Sequence, residues 1–146
     1  MNCKTELAKW ILYCALFFSS TATWAAGEFI DIQPRTEAEI QLVLDTLESS
    51  ILEADKNLPP IVMMLHGKEA NRFLRSNYSA NKAMVDQTAK LAAYNVIKVQ
   101  ICLTWMADNM HAEDELFPFV STVPFAPDEL ERLVSEESYT EFSVSL

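Results

Sequence analysis

Ile61-Val62-Met63-Met64-Leu65, closed by His66-Gly67, is the stretch that decides the fold. Five apolar residues follow Pro59-Pro60 with no polar alternation. A run this short and this uniform reads as a strand buried on both faces, and such strands belong to parallel sheets covered by helices. A second strand, Val96 to Cys102, does alternate. Ile97, Val99 and Ile101 share one face, and Lys98, Gln100 and Cys102 share the other. Between the two runs, Asn81 to Tyr94 reads as a helix, with Met84, Thr88 and Leu91 on one stripe. Asn95 suits the left-handed residue that ends it.

The same reading extends outward. Phe29-Ile30-Asp31-Ile32 reads as a short strand stopped by Pro34. Thr36 and Glu39 have capping-box spacing, and Ile40, Val43, Leu44, Leu47 and Ile51 form the apolar face of a helix to about Asp55. Glu69 to Leu74 suits a short helical turn. Thr104 is placed to cap a short helix from Trp105 to Met110. Val120 to Pro124 reads as a strand. Pro127, Asp128 and Glu129 suit the first turn of a helix to about Glu137, and Tyr139 to Val144 reads as the last strand. The order βαβαβαβαβ implies a three-layer α/β/α sandwich with a mostly parallel five-stranded sheet. Ligands of such sheets sit beyond the carboxyl ends of the strands, where both His66 and Cys102 fall.

Composition removes many functions. The chain has 146 residues, enough for one ordinary domain, and a net charge of −10. That charge argues against nucleic acid or an anionic membrane surface as partner. Two glycines cannot build a dinucleotide-binding or phosphate-binding glycine loop, and two histidines in unrelated contexts leave no HExxH site. Cys3, Cys14 and Cys102 form no CxxC pair. No cofactor and no resident metal are expected.

Residues 1–25 read as a secretory signal peptide, ahead of one domain over 26–146. Lys4 and Lys9 precede the apolar run Trp10 to Phe18, and small residues lead to Thr23-Trp24-Ala25. Cleavage after Ala25 would send the protein to the periplasm or the medium, with no membrane attachment and with Cys102 as its only cysteine.

Cys102 is the first candidate site residue. Its alternation places it on the polar side of its strand, and a helix from Thr104 would bring a positive end toward the sulfur, a field that favours thiolate. The alternative is a small buried hydrophobe that closes the strand. His66 is the second: it could favour a thiolate on Cys102 if their strands are neighbours, or bind a ligand, or hold the turn before Gly67 through a loop carbonyl. His111, among Glu113, Asp114 and Glu115, has the look of a weak metal site or of a solvated loop. Trp105, Met106 and Met110 would either wall the thiol, make a subunit contact or pack in the core.

Ile61 to Gly67, Phe73-Leu74, Val96 to Thr104, Val123-Pro124, Glu129-Leu130 and Ser138-Tyr139 together resemble the DsrE/DsrF-like family, over nearly all of residues 28–143. Asn95 and Ser138 stand where that family has glycine. The resemblance implies a three-layer α/β fold and assembly into homo-oligomers or hetero-oligomers. In the sulfur-relay branch the matching cysteine carries a persulfide, a role that would fall on Cys102, with His66 in support. The resulting expectation is an exported sulfur carrier, rather than a complete enzyme, that exchanges sulfur with a donor or acceptor protein. The other expectation is a non-catalytic oligomeric module that binds a small ligand, with Cys102 structural.

Overall fold

A computed structural model of the chain describes residues 26–33, 35–49 and 58–143. The expected signal peptide, the end of the first helix and Val144 lie outside the described residues. The strands are β1 (Glu28–Asp31), β2 (Ile61–Leu65), β3 (Ile97–Cys102), β4 (Val120–Val123) and β5 (Thr140–Glu141). They form one five-stranded sheet in the order β4-β3-β2-β1-β5, with β2 in the middle. Every pairing is parallel. The central place of β2 explains its unbroken apolar run: Met63, Met64 and Leu65 are all fully buried.

Among the described residues, the α-helices between the strands are α1 (Glu37–Ser49), α2 (Tyr78–Ala93), α3 (Leu103–Asp108) and α4 (Ala126–Glu137). A 3-10 turn over Lys68–Phe73 follows β2. Ile30, Met63, Leu65, Val99 and Ile101 form one sheet face with Ile40, Val43, Leu44 and Leu47 of α1 and Met84, Val85 and Leu91 of α2. Val62, Met64, Cys102 and Val123 form the other face, against Ala126 and Leu133 of α4. The protein is therefore a three-layer α/β/α sandwich. Because β4 and β5 are opposite edges of the sheet, α4 is the connection that crosses it.

Local chemistry explains the element ends. The Thr36 backbone N–H and hydroxyl donate to the Glu39 carboxylate at 2.6 and 2.7 Å, and the Glu39 N–H donates back to the Thr36 hydroxyl at 3.3 Å. This is the capping box, and it holds the Glu39 carboxyl below its ordinary 4.5, the backbone bond first. Asn95 and Ser138 both adopt positive φ, 59° and 58°, so each does the work that glycine does elsewhere.

Some boundaries differ from the sequence reading. Helix α2 begins at Tyr78, three residues before Asn81, and Asn81 itself is non-helical at φ −119°, ψ 18°. Its side-chain amide donates to the Asn77 carbonyl at 2.9 Å, which bridges the irregular turn. Helix α3 starts at Leu103, directly after Cys102, and ends at Asp108. Thr104 does not cap it; its hydroxyl donates to the Pro124 carbonyl at 3.0 Å. Strand β5 spans only Thr140–Glu141.

Leu44 is fully buried between α1 and the sheet, whereas Val134 of α4 is half exposed. Leu44→Ala should cost about 2–5 kcal/mol in urea unfolding, and Val134→Ala no more than about 0.5 kcal/mol. For the capping box, a carboxyl whose value is lowered on folding stabilises above its unfolded value and stops doing so as pH falls through the folded one. Glu39→Gln should therefore melt below the wild type at neutral pH, and the two melting curves should converge as the pH drops below 4.5.

Candidate functional site

Three strands finish side by side at one end of the sheet. Asp31 closes β1, His66 follows β2, and Cys102 closes β3. Leu65 and Ile101 are the last pair of the β2–β3 ladder, and His66 and Cys102 each follow it by one residue; among the described residues no hydrogen bond joins their side chains. Neighbouring strands lie about 4.8 Å apart. Alternation puts Asp31 on the same face as Phe29, and Cys102 on the same face as Gln100. Both Phe29 and Cys102 pack in the cluster beneath α4, so Asp31 and Cys102 rise from the same side of the sheet.

The His66 imidazole is held by Asp31, with Nε2 and Oδ1 2.9 Å apart. The same Asp31 oxygen also accepts from the backbone N–H of Gln33 at 3.0 Å. The sequence offers a loop carbonyl as the structural partner of His66; the structure gives it the carboxylate of the adjacent strand instead. The turn after β2 is held by a group with no signal of its own in the sequence. Glu69, only 6% exposed, accepts from the backbone N–H of His66 at 2.9 Å and of Gly67 at 2.6 Å. Gly67 leaves room for this arrangement: a Cβ there would lie 2.6 Å from the second Glu69 oxygen and 3.1 Å from the Gln33 side-chain amide carbon.

Cys102 is 3% exposed and walled by Val62, Met64, Val123, Ala126 and Leu133. The face that alternation marks as polar is therefore not open to solvent, because α4 covers it. Gln100, on that face, is also buried, and its Oε1 has no hydrogen-bond partner among the described residues. Lys98 alone of the three polar-side residues is exposed.

Beside the Asp31–His66 pair lies a cavity of about 280 Å³, lined by Asp31, Gln33, Arg35, Glu39 and Glu141. The Arg35 Nε donates to the Asp31 carbonyl at 3.0 Å, and its guanidinium lies 3.5 Å from the Glu141 carboxylate. A second cavity, of about 340 Å³, opens at the other end of the sheet among Pro60, Ala92, Ile97 and Phe119, away from His66 and Cys102.

The remaining candidates separate. His111 stacks on Trp105, with centroids 5.7 Å apart, and its Nδ1 lies 3.1 Å from Glu115. Among the described residues no three His, Cys, Asp or Glu side chains converge as a cation site. Met106 is core, Met110 is 92% exposed, and Trp105 packs against both apolar clusters. In the sequence, Asp31 is legible only as a polar residue near the end of an apolar strand, and Glu69 only as part of a turn; neither has a motif.

No family model matches the chain, and no curated protein matches it. Among solved structures, the fold is similar to that of MTH1491 from Methanobacterium thermoautotrophicum, described as a protein of unknown function. The two are 15% identical with a TM-score of 0.56, over 78% of this chain and 95% of that one. At that identity the likeness concerns the fold alone.

Removing the Glu69 carboxylate leaves two backbone donors without their acceptor. Glu69→Ala should cost about 1–3 kcal/mol in urea unfolding.

Proposed function

We propose that the chain is an exported DsrE-like sulfur carrier that holds sulfane sulfur on Cys102 and exchanges it with donor and acceptor proteins as a homo-oligomer or hetero-oligomer. The observation that supports this reading is the placement of His66 and Cys102 at the carboxyl ends of the neighbouring strands β2 and β3. An imidazole on the neighbouring strand can take the thiol proton, and thiolate is the form that attacks sulfur. In loading, the Cys102 thiolate attacks a sulfane sulfur of a polysulfide. A new S–S bond forms to Cys102, the donor's S–S bond breaks, and its electron pair leaves with the shortened polysulfide. No external oxidant is needed. At 3% exposure the sulfur is screened from water, so loading requires the cover formed by α4 to open.

A second reading has its own support. The apolar wall around Cys102 and the polar cavity beside Asp31 favour a non-catalytic module that binds a small ligand at the strand ends, with Cys102 as packing.

Intact mass before and after incubation with polysulfide separates the two. The carrier gains sulfur, loses it to reductant, and gains none as Cys102→Ser. The absence of any gain, with a Cys102 thiol that resists alkylation until the protein unfolds, would leave the binding module.

A further inference from the structure

We propose that the cavity at the carboxyl ends of β1 and β5 binds a small basic α-amino acid, with its carboxylate on Arg35 and its two cationic groups among Asp31, Glu39 and Glu141. The inference rests on the small-ligand reading, to which it gives a place and a ligand class, and it does not depend on whether Cys102 carries sulfur.

The topology opens the place. Helix α1 carries the chain from β1 toward β2, away from β5, and packs on the sheet face opposite α4. The crevice beyond β1 and β5 is left open, and ligands of parallel sheets sit beyond the carboxyl ends of the strands. Phe29 pairs with Glu141, so Glu141 shares a sheet face with Phe29 and Asp31. The cavity measures about 280 Å³, close to the roughly 300 Å³ at which small-molecule pockets begin, and so suits a ligand of amino-acid size.

Its lining has bonding capacity to spare. Each of the three carboxylates meets the protein through one oxygen: Asp31 uses Oδ1 for His66 and the Gln33 N–H, Glu39 uses Oε2 for Thr36, and Glu141 uses Oε1 for Arg35. Among the described residues the second oxygen of each has no hydrogen-bond or ion-pair partner. Arg35 donates through Nε to the Asp31 carbonyl, and its Nη2 stands 3.5 Å from Glu141, beyond the roughly 2.7–2.9 Å of a charge-assisted bond. The guanidinium edge can therefore receive a ligand carboxylate through two parallel bonds.

The charge sets the class. Three carboxylates against one guanidinium leave the lining with an excess of negative charge. A divalent cation does not suit it, because among the described residues no three such side chains converge. Separated carboxylates suit a ligand whose positive charges are themselves separated, and Arg35 adds a place for one carboxylate. A basic α-amino acid carries that set of groups.

The test is calorimetric titration of the full chain with L-lysine and with cadaverine, the same molecule without its carboxylate. L-lysine should bind, and cadaverine about tenfold more weakly despite its larger positive charge. Arg35→Gln should abolish that preference, and Glu141→Gln should weaken L-lysine about tenfold. Asp128→Asn, at an exposed position of α4, should change neither. Backbone amide shifts in NMR at millimolar L-lysine should centre on Gln33, Arg35 and Glu141. Shifts centred elsewhere would overturn this site and leave the small-ligand reading standing. Absence of binding, or equal affinity for the two compounds in the wild type, would overturn the inference. Should Arg35→Gln fail to fold, the wild-type comparison and Glu141→Gln decide. Sulfur uptake at Cys102, read by mass on the same samples, reports on the carrier reading separately.

Discussion

Parallel pairing of β2 on both sides is the constraint on which the rest depends. Its five apolar residues can be satisfied only inside the sheet, with a helix layer above and below. Once β2 is paired with β1 and β3, the register brings the three carboxyl ends to one side of the sheet, with Asp31 level with Met64 and Leu65 level with Ile101. A slip of one residue would turn Met63 and Leu65 toward the face of Val62 and Met64, so burial on both faces and the register support each other.

The two faces are unequal. Two long helices and the 3-10 turn cover one, while α4 is the main cover of the other. The smaller cluster holds Cys102 and lies beside the buried oxygen of Gln100 that lacks a partner among the described residues. A thin cover with few apolar contacts opens at lower free energy than a deep core.

The charge at the strand ends is organised rather than diffuse. Glu69 is turned inward to backbone donors, Arg35 bridges the end of β1 to Glu141, and Asp31 faces both His66 and the Gln33 backbone N–H. In a chain of net charge −10, these local pairings decide which carboxylates act on a neighbouring group and which only solvate the surface. The Glu129 carboxylate is an example of the first kind: Arg132 donates to both its oxygens at 2.8 Å and holds its carboxyl below the ordinary 4.5.

Strand and helix order, the two-sided burial of Ile61 to Leu65, the Thr36–Glu39 capping box and the left-handed turn at Asn95 were all legible in the chain. Each depends on residues close in the chain or on a simple period, so each can be read locally. The sequence also placed His66 and Cys102 at carboxyl ends, because a strand's direction fixes which end follows. The spatial order of the strands, the bond between Asp31 and His66 and the cover over Cys102 emerged with the folded arrangement. Those depend on contacts between residues far apart in sequence: Asp31 and His66 are separated by 35 positions. A period of two reveals that Lys98, Gln100 and Cys102 share a face, but not whether a helix will lie upon it, since that is settled by the path of α4 from one sheet edge to the other.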